Sequence, residues 1–340
     1  MLRCGPGLNR QEGEKVANEE QSGPELRRIF QHILLLALAT LLPAFDFSFF
    51  GWLTGSLPLL TFLLLYRFGM HVGNRMILTG ASLVLITGLV FARFEPILIS
   101  MSMVPSGYAI AHSALRHESP ARAGLKGVAA LAGCWLLLLG AFTAVQNVNP
   151  YTVFLESLDE GIAGALELYR QSESISADTL VVLEASLHQM KTLLPLIMPS
   201  ILTGVALLTV WVAMAAGNRV ALLLTGSSPW PQYRFWRLPD RLVWLMIAAA
   251  LIALIPAGII KAGGINALVV GGLVYWFQGL AVFSFFLHKW NLPILLRAFL
   301  YVMVVFQSFG TVILFGTGLA DVWLDFRKIR KPVDTESAKE

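Results

Sequence analysis

The chain has 340 residues, of which 56% are hydrophobic and only 14% charged, with a mean hydropathy of +0.69 and a net charge of +4. An average soluble domain carries about 25% charged residues, and no water-soluble fold of this composition could hide so much apolar surface. A soluble enzyme is therefore excluded, and basic residues scattered between apolar runs rather than gathered in one stripe argue against a nucleic-acid partner.

Residues 1–28 form a polar stretch in which Arg3, Arg10, Lys15, Arg27 and Arg28 are balanced by Glu12, Glu14, Glu19, Glu20 and Glu25. Mixed charge with few apolar residues predicts a flexible tail. No apolar segment precedes a small-residue cleavage site or Cys4, so neither a cleaved signal peptide nor a lipid anchor is expected, and the first apolar helix directs insertion.

Hydrocarbon offers no partner for a free backbone N–H or C=O, so each membrane crossing takes a helix of about 20 apolar residues. Apolar runs lie at 29–45, 49–66, 76–92, 94–114, 124–146, 192–217, 241–260, 266–287 and 295–319. They predict an all-α fold, a polytopic transmembrane helix bundle of eight or nine spans. Pro43, Asp46, Gly51, Gly55 and Pro58 interrupt the first two runs, and broken or re-entrant helices are tolerated only against protein or a water-filled cavity.

Basic residues orient the bundle. Arg67 and Arg75 follow the second run, Arg116, Arg122 and Lys126 the fourth, and Arg219, Arg234, Arg237 and Arg241 lie between the sixth and seventh. By the positive-inside rule these loops face the cytoplasm. The connection at 147–191 then lies outside, and it carries Glu156, Asp159, Glu160, Glu167, Glu173, Asp178 and Glu184 against Arg170 and Lys191. Phe154, Leu158, Ile162, Leu166 and Tyr169 recur at helical spacing, as do Leu180, Leu183, Leu187 and Met190 after an N-cap at Asp178. This predicts an extracytoplasmic amphipathic helical hairpin.

The predicted organisation is a polar tail at 1–28, a transmembrane bundle at 29–146, the hairpin at 147–191, a second bundle at 192–326 and a basic and polar tail at 327–340. It contains one conflict. Nine spans from an inner N-terminus would leave Arg327, Lys328, Arg330 and Lys331 outside, against the same charge rule. Either one of the first two runs does not cross, or the basic terminus lies at the outer face.

Polar groups inside apolar runs are costly, which makes them candidates for function. Gln278, within Tyr275-Trp276-Phe277-Gln278-Gly279, is the clearest; Asn266 and Gln307 are others, and Arg93 with Glu95 flanks the turn between the third and fourth runs. These four, Gln278, Asn266, Gln307 and Arg93, are the candidate substrate-binding residues. The competing reading of each amide is an interhelical hydrogen bond that fixes packing, helped by Gly271, Gly272 and Gly279. Arg67, His71, Asn74 and Arg75 read as an inner anchor.

Two further stretches suggest partner docking. Trp230 to Arg241 is dense in aromatics, arginines and prolines, and it reads either as an interfacial belt, with Pro239 in the first turn of a helix, or as a docking site through Trp236, Arg237 and Pro239. Near the C-terminus Asp321, Asp325 and Arg327 close the last helix, with the two acids one turn apart on a shared face. His112 and His117 fall on different helix faces and Cys4 and Cys134 lie in unlike settings, so no metal, haem or disulfide is expected. No P-loop, dinucleotide fingerprint, zinc-protease or nucleophile-elbow motif is present, which argues against an enzyme, a cofactor and ATP hydrolysis within this chain.

Three stretches together, Phe235 to Trp244 with Trp236-Arg237-Leu238-Pro239, Phe277 to Leu287 with Gln278-Gly279-Leu280-Ala281-Val282, and Leu319 to Arg330 with its Asp-x-Trp-x-Asp-x-Arg-Lys pattern, resemble the YybS-like bacterial predicted membrane proteins, a family of unknown function. Pro58 to Tyr66, leading into Arg67-Phe68-Gly69, is distantly similar to the S components of energy-coupling-factor vitamin transporters. That second resemblance implies a small solute bound within the membrane and energy supplied by a separate membrane coupling subunit with ATPases. The leading expectation is a bacterial inner-membrane protein that binds or transports a small solute in the lipid bilayer. The competing one is a non-catalytic scaffold or assembly factor for envelope proteins.

Overall fold

The computed structural model describes the backbone of residues 8–171 and 176–329 and, residue 177 apart, the side chains from residue 27 onward. Every regular element among the described residues is helical. The chain forms two compact units, Met1–Glu118 with Val212–Pro229, and Ser119–Trp211 with Trp230–Glu340.

The first unit begins with α1, Leu8–Phe45. Its start lies inside the stretch read as a polar tail; residues 1–7 lie outside the described residues. Asp46 ends α1, and its carboxylate caps α2, Phe47–Phe50, by accepting from the Phe49 N–H at 3.1 Å. A 3₁₀ turn at Gly51–Ser56 leads into α3, Leu57–Val90, which contains a break at Gly69, φ 76° and ψ 164°. That left-handed value suits glycine alone. The break is a reversal: a β-carbon on Gly73 would lie 3.1 Å from the Leu65 Cα, although eight residues of continuous helix cover about 12 Å. The limb before Gly69 is about 18 Å long, well short of a 30 Å hydrocarbon layer. The helices α4, Phe94–Met101, and α5, Val104–Leu115, divide the run expected as the fourth span. Ala37, Ala44, Val84 and Ile97 form one buried cluster among α1, α3 and α4.

The second unit opens with α6, Pro120–Gln146, and α7, Pro150–Arg170, whose N-cap Asn149 accepts from the Tyr151 N–H at 2.9 Å. The 49-residue α8, Ala177–Thr225, belongs to this unit as far as Trp211 and to the first unit from Val212 on; 49 residues are more than twice the number that crosses a bilayer core. Two exposed ion pairs, Arg170 with Glu184 and Lys191 with Asp159, tie its first turns to α7. After a 3₁₀ turn at Tyr233–Phe235 come α9, Leu242–Ala253, α10, Gly258–Lys289, α11, Ile294–Phe306, and α12, Ser308–Leu324.

Among the described residues five helices are long and apolar enough to cross a membrane, and six if α11 and α12, bent by 94° at their junction, count as one. The eight or nine spans expected from hydropathy are not reached by that measure. The 3₁₀ turn at Gly51–Ser56 and the breaks at Ser102–Met103 and at Gln307 shorten the runs, and α9 has only 12 residues.

Candidate functional site

The polar site of the second unit is assembled where α12 crosses α10. Gly279 and Gly318 permit the crossing: a β-carbon would lie 1.8 Å from the Leu314 carbonyl oxygen at the first and 2.0 Å from that of Tyr275 at the second. Such close backbone approach is the use membrane helices make of small residues. It brings Asp321, on the last turn of α12, to Gln278 in α10.

Gln278 is 4% exposed and uses both ends of its amide. Its Nε2 donates to Asp321 Oδ2 at 2.8 Å, and its Oε1 accepts from the Leu238 N–H at 3.1 Å. Asp321 Oδ2 also accepts from Arg327 Nη2 at 2.8 Å, and both of these side chains are buried almost completely. Arg327 Nη1 donates to the carbonyls of Arg234 and Trp236, each at 2.8 Å. An acid, a base and an amide thus join α10, α12, the C-terminal segment and the loop residues Arg234, Trp236 and Leu238. The reach of Arg327 depends on the end of α12, where Asp325 takes a left-handed conformation, φ 40°, and turns the chain back on itself.

An aromatic wall continues the site. The Tyr233 hydroxyl donates to the Phe277 carbonyl, and Trp211 stacks on Phe277 at 4.8 Å while meeting Tyr233 edge-on. Burial pushes the Tyr233 phenol well above its ordinary range, so it stays a neutral donor.

Asn266 lies 12 residues before Gln278, about 18 Å away along α10. It repairs α8. In a continuous helix the Ser200 N–H would donate to the Leu196 carbonyl, but α8 holds Pro195 and Pro199 at that place. Here Asn266 Oδ1 accepts from the Ser200 N–H and Asn266 Nδ2 donates to the Leu196 carbonyl, both at 2.8 Å. The amide is inserted into the opened ladder. Asn266→Leu is expected to leave both backbone groups short of partners and to cost about 1–3 kcal/mol, read as a lowered Tm of the detergent-purified chain; an unchanged Tm would mean that α8 closes its own ladder.

Between these polar points lies an apolar groove of about 670 Å³, lined by Leu208 of α8, Gly272, Leu273 and Trp276 of α10, and Val305, Thr311, Val312 and Phe315 of α11 and α12. Thr311 supplies the one aliphatic hydroxyl of its lining.

The candidate residues are therefore distributed. Gln278, Asp321 and Arg327 form one cluster, to which Trp236 contributes its carbonyl. The Trp236 ring donates instead to the Pro231 carbonyl, 2.7 Å away within its own loop, and Arg237 pairs with Asp240. Pro239 precedes α9 by three residues and accepts from the Leu242 N–H, so it starts a turn and not the helix. Asp325 lies past the end of α12 and does not share a helix face with Asp321; its carboxylate accepts from the Ile329 N–H. Gln307 is exposed at the junction of α11 and α12 and is not buried within a span. Arg93 is the exposed N-cap of α4, in the first unit. Tyr233 and the groove-lining residues other than Gly272, which was read only as a packing glycine, were not singled out from the sequence, since an aromatic in a belt and leucines in an apolar run carry no local signal.

A family model described as a predicted membrane protein (DUF2232) matches residues 32–322, a range that includes Gln278 and Asp321 and stops before Arg327. No curated protein and no solved structure matches the chain.

Proposed function

This chain belongs to the DUF2232 family of predicted membrane proteins, and from that premise we propose that it binds, and carries within the bilayer, a small apolar or amphipathic solute, without catalysis of its own. The observation that carries this reading is the groove among α8, α10, α11 and α12, whose lining is apolar but for the Thr311 hydroxyl and the Trp276 indole N–H. Ligand sites are typically clefts of about 300–1,000 Å³ with mostly apolar walls and few polar groups. A charged solute would find no counter-charge in that lining. Gln278 and Asn266 serve as the fixed frame of the groove, since both spend their amides on protein partners.

In this reading the protein sits in the inner membrane of a bacterium, with the arginine-bearing loop at 226–241 in the cytoplasm and the paired α7 and early α8 outside. Energy for transport comes from an ion gradient or from a separate coupling subunit with ATPases. A second reading, an envelope scaffold, is favoured by one observation: α8, with 49 residues, is far longer than a bilayer crossing needs, and its first turns are tied to α7 by two ion pairs.

Groove filling separates the two. The full chain, purified in mild detergent, is extracted and its retained small molecules are compared by mass spectrometry with those of Gly272→Trp and Thr311→Trp. The expected result is a solute enriched on the parent chain and reduced on the order of tenfold in both variants, equivalent to ~1.4 kcal/mol. Retention of the same molecules by parent and variants, with envelope proteins recovered through the α7 and α8 segment, would favour the scaffold.

A further inference from the structure

We infer that α11 and α12 form a re-entrant arm, entering and leaving on the side of the loop at 226–241 and latched there by Asp321, Arg327 and Gln278, with the arm closing the groove. The gating part rests on the proposed solute groove; the course of the arm does not.

The loop meets the C-terminal half of α10: Tyr233 bonds the Phe277 carbonyl, Leu238 bonds Gln278, and Phe235 packs edge-on against Phe285. The first residues of α10 lie about 30 Å away, because 20 residues separate Gly258 from Gln278. The arm begins at the loop's end of α10, where Arg297 Nη1 donates to His288 Nε2 at 3.1 Å, leaving Nδ1 of that ring to donate to the Ser284 carbonyl. It finishes at the same end, where Arg327 holds the carbonyls of Arg234 and Trp236. Between these points the arm turns by 94° at Gln307, with Val305 and Thr311 across the groove from Gly272 and Leu273, in the middle of α10. A segment that starts and ends on one side and turns at mid-depth does not cross. Its basic end then faces the same side as the arginine loop, which removes the charge conflict that nine complete spans would create.

The latch is the arm's fixed point. Asp321 and Arg327 both belong to the arm or its extension, while their partners Gln278, Arg234 and Trp236 belong to α10 and the loop. The wall that the arm contributes to the groove, Val305, Thr311, Val312 and Phe315, spans the bend at Gln307, and the latch follows it along α12.

Two measurements on the full chain test this, in a Cys4→Ser and Cys134→Ser background. In sealed vesicles of known orientation, Gln232→Cys, Asn291→Cys and Phe326→Cys should all react with an impermeant thiol reagent from one side. Reaction of Asn291→Cys and Phe326→Cys from opposite sides would overturn the re-entrant course. For the latch, spin labels at Leu208→Cys and Val312→Cys, on facing walls of the groove, should give one narrow distance in the parent and a longer, broader one in Arg327→Gln; Gln278→Leu is the second variant if the first does not fold. An unchanged distribution in a folded variant would overturn the latch. Neither measurement involves a solute, so an arm that behaves as inferred beside an empty groove would sink only the binding proposal.

Discussion

Arg327→Ala is expected to lower the stability of the folded chain by about 3–5 kcal/mol, the usual cost of removing one partner of a buried ion pair. The Arg327 and Asp321 side chains are 0% and 1% exposed, so water cannot compensate the carboxylate left behind. Three acceptors lose their donor at once: Asp321 Oδ2 and the carbonyls of Arg234 and Trp236. Replacing both members, as Asp321→Leu with Arg327→Met, removes the stranded charge and should recover part of the loss. Recovery will be incomplete because Gln278 Nε2 and the two loop carbonyls stay unpaired. Thermal melting of the three purified variants checks this order: parent, double variant, single variant. A single variant as stable as the parent would mean that the pair stands in contact with solvent.

Gly279→Ala should be the most damaging single-methyl change in the second unit. The new β-carbon would lie 1.8 Å from the Leu314 carbonyl oxygen, and a backbone atom held in α12 cannot rotate away as a side chain would. Either the helices separate and lose the Gln278 to Asp321 bond, or the change is not accommodated. Overpacking of this kind costs about 1–3 kcal/mol, and more when backbone must move. The matched controls are Gly133→Ala and Gly140→Ala in α6, where nothing lies within 4 Å of the added carbon. These should be neutral or stabilise the helix by up to ~1 kcal/mol. Comparable losses at Gly279 and Gly133 would show that the crossing is looser than its contacts imply.

Both predictions concern groups whose importance is only half visible in sequence. Gln278 is conspicuous because an amide in an apolar run is costly, and Asp321 and Arg327 are conspicuous as charges at a helix end. That they meet is not readable, because 43 and 49 residues separate them from Gln278 and a sharp bend intervenes. Asn266 has the same double character. Its polarity marks it, but its role depends on Pro195 and Pro199 in a helix about 70 residues earlier. Gln307 and Arg93 show the converse setting. A polar residue within an apolar run also arises when the run is two helices joined at that residue, as at Gln307, and a charge at a run's edge is then an ordinary cap.

The count of eight or nine spans is not reached by helix length and composition for a related reason. Hydropathy sums over a window and ignores where the backbone turns. Gln307 lies inside a run, 295–319, that averages as one membrane segment, yet the chain bends there by 94°; the run at 94–114 is likewise divided between two helices at Ser102–Met103.

By itself, then, the sequence determined the solvent. So much apolar surface with so few charges admits only helices in a bilayer, because hydrocarbon leaves every backbone group to be satisfied within its own segment. It also determined that Gln278, Asn266, Asp321 and Arg327 need partners, since a buried polar group without one is too costly to keep. Tertiary structure decided which partners they found. Those bonds run between helices, and only the close backbone approach at Gly279 and Gly318 makes the distance between α10 and α12 short enough for an amide and an acid to touch.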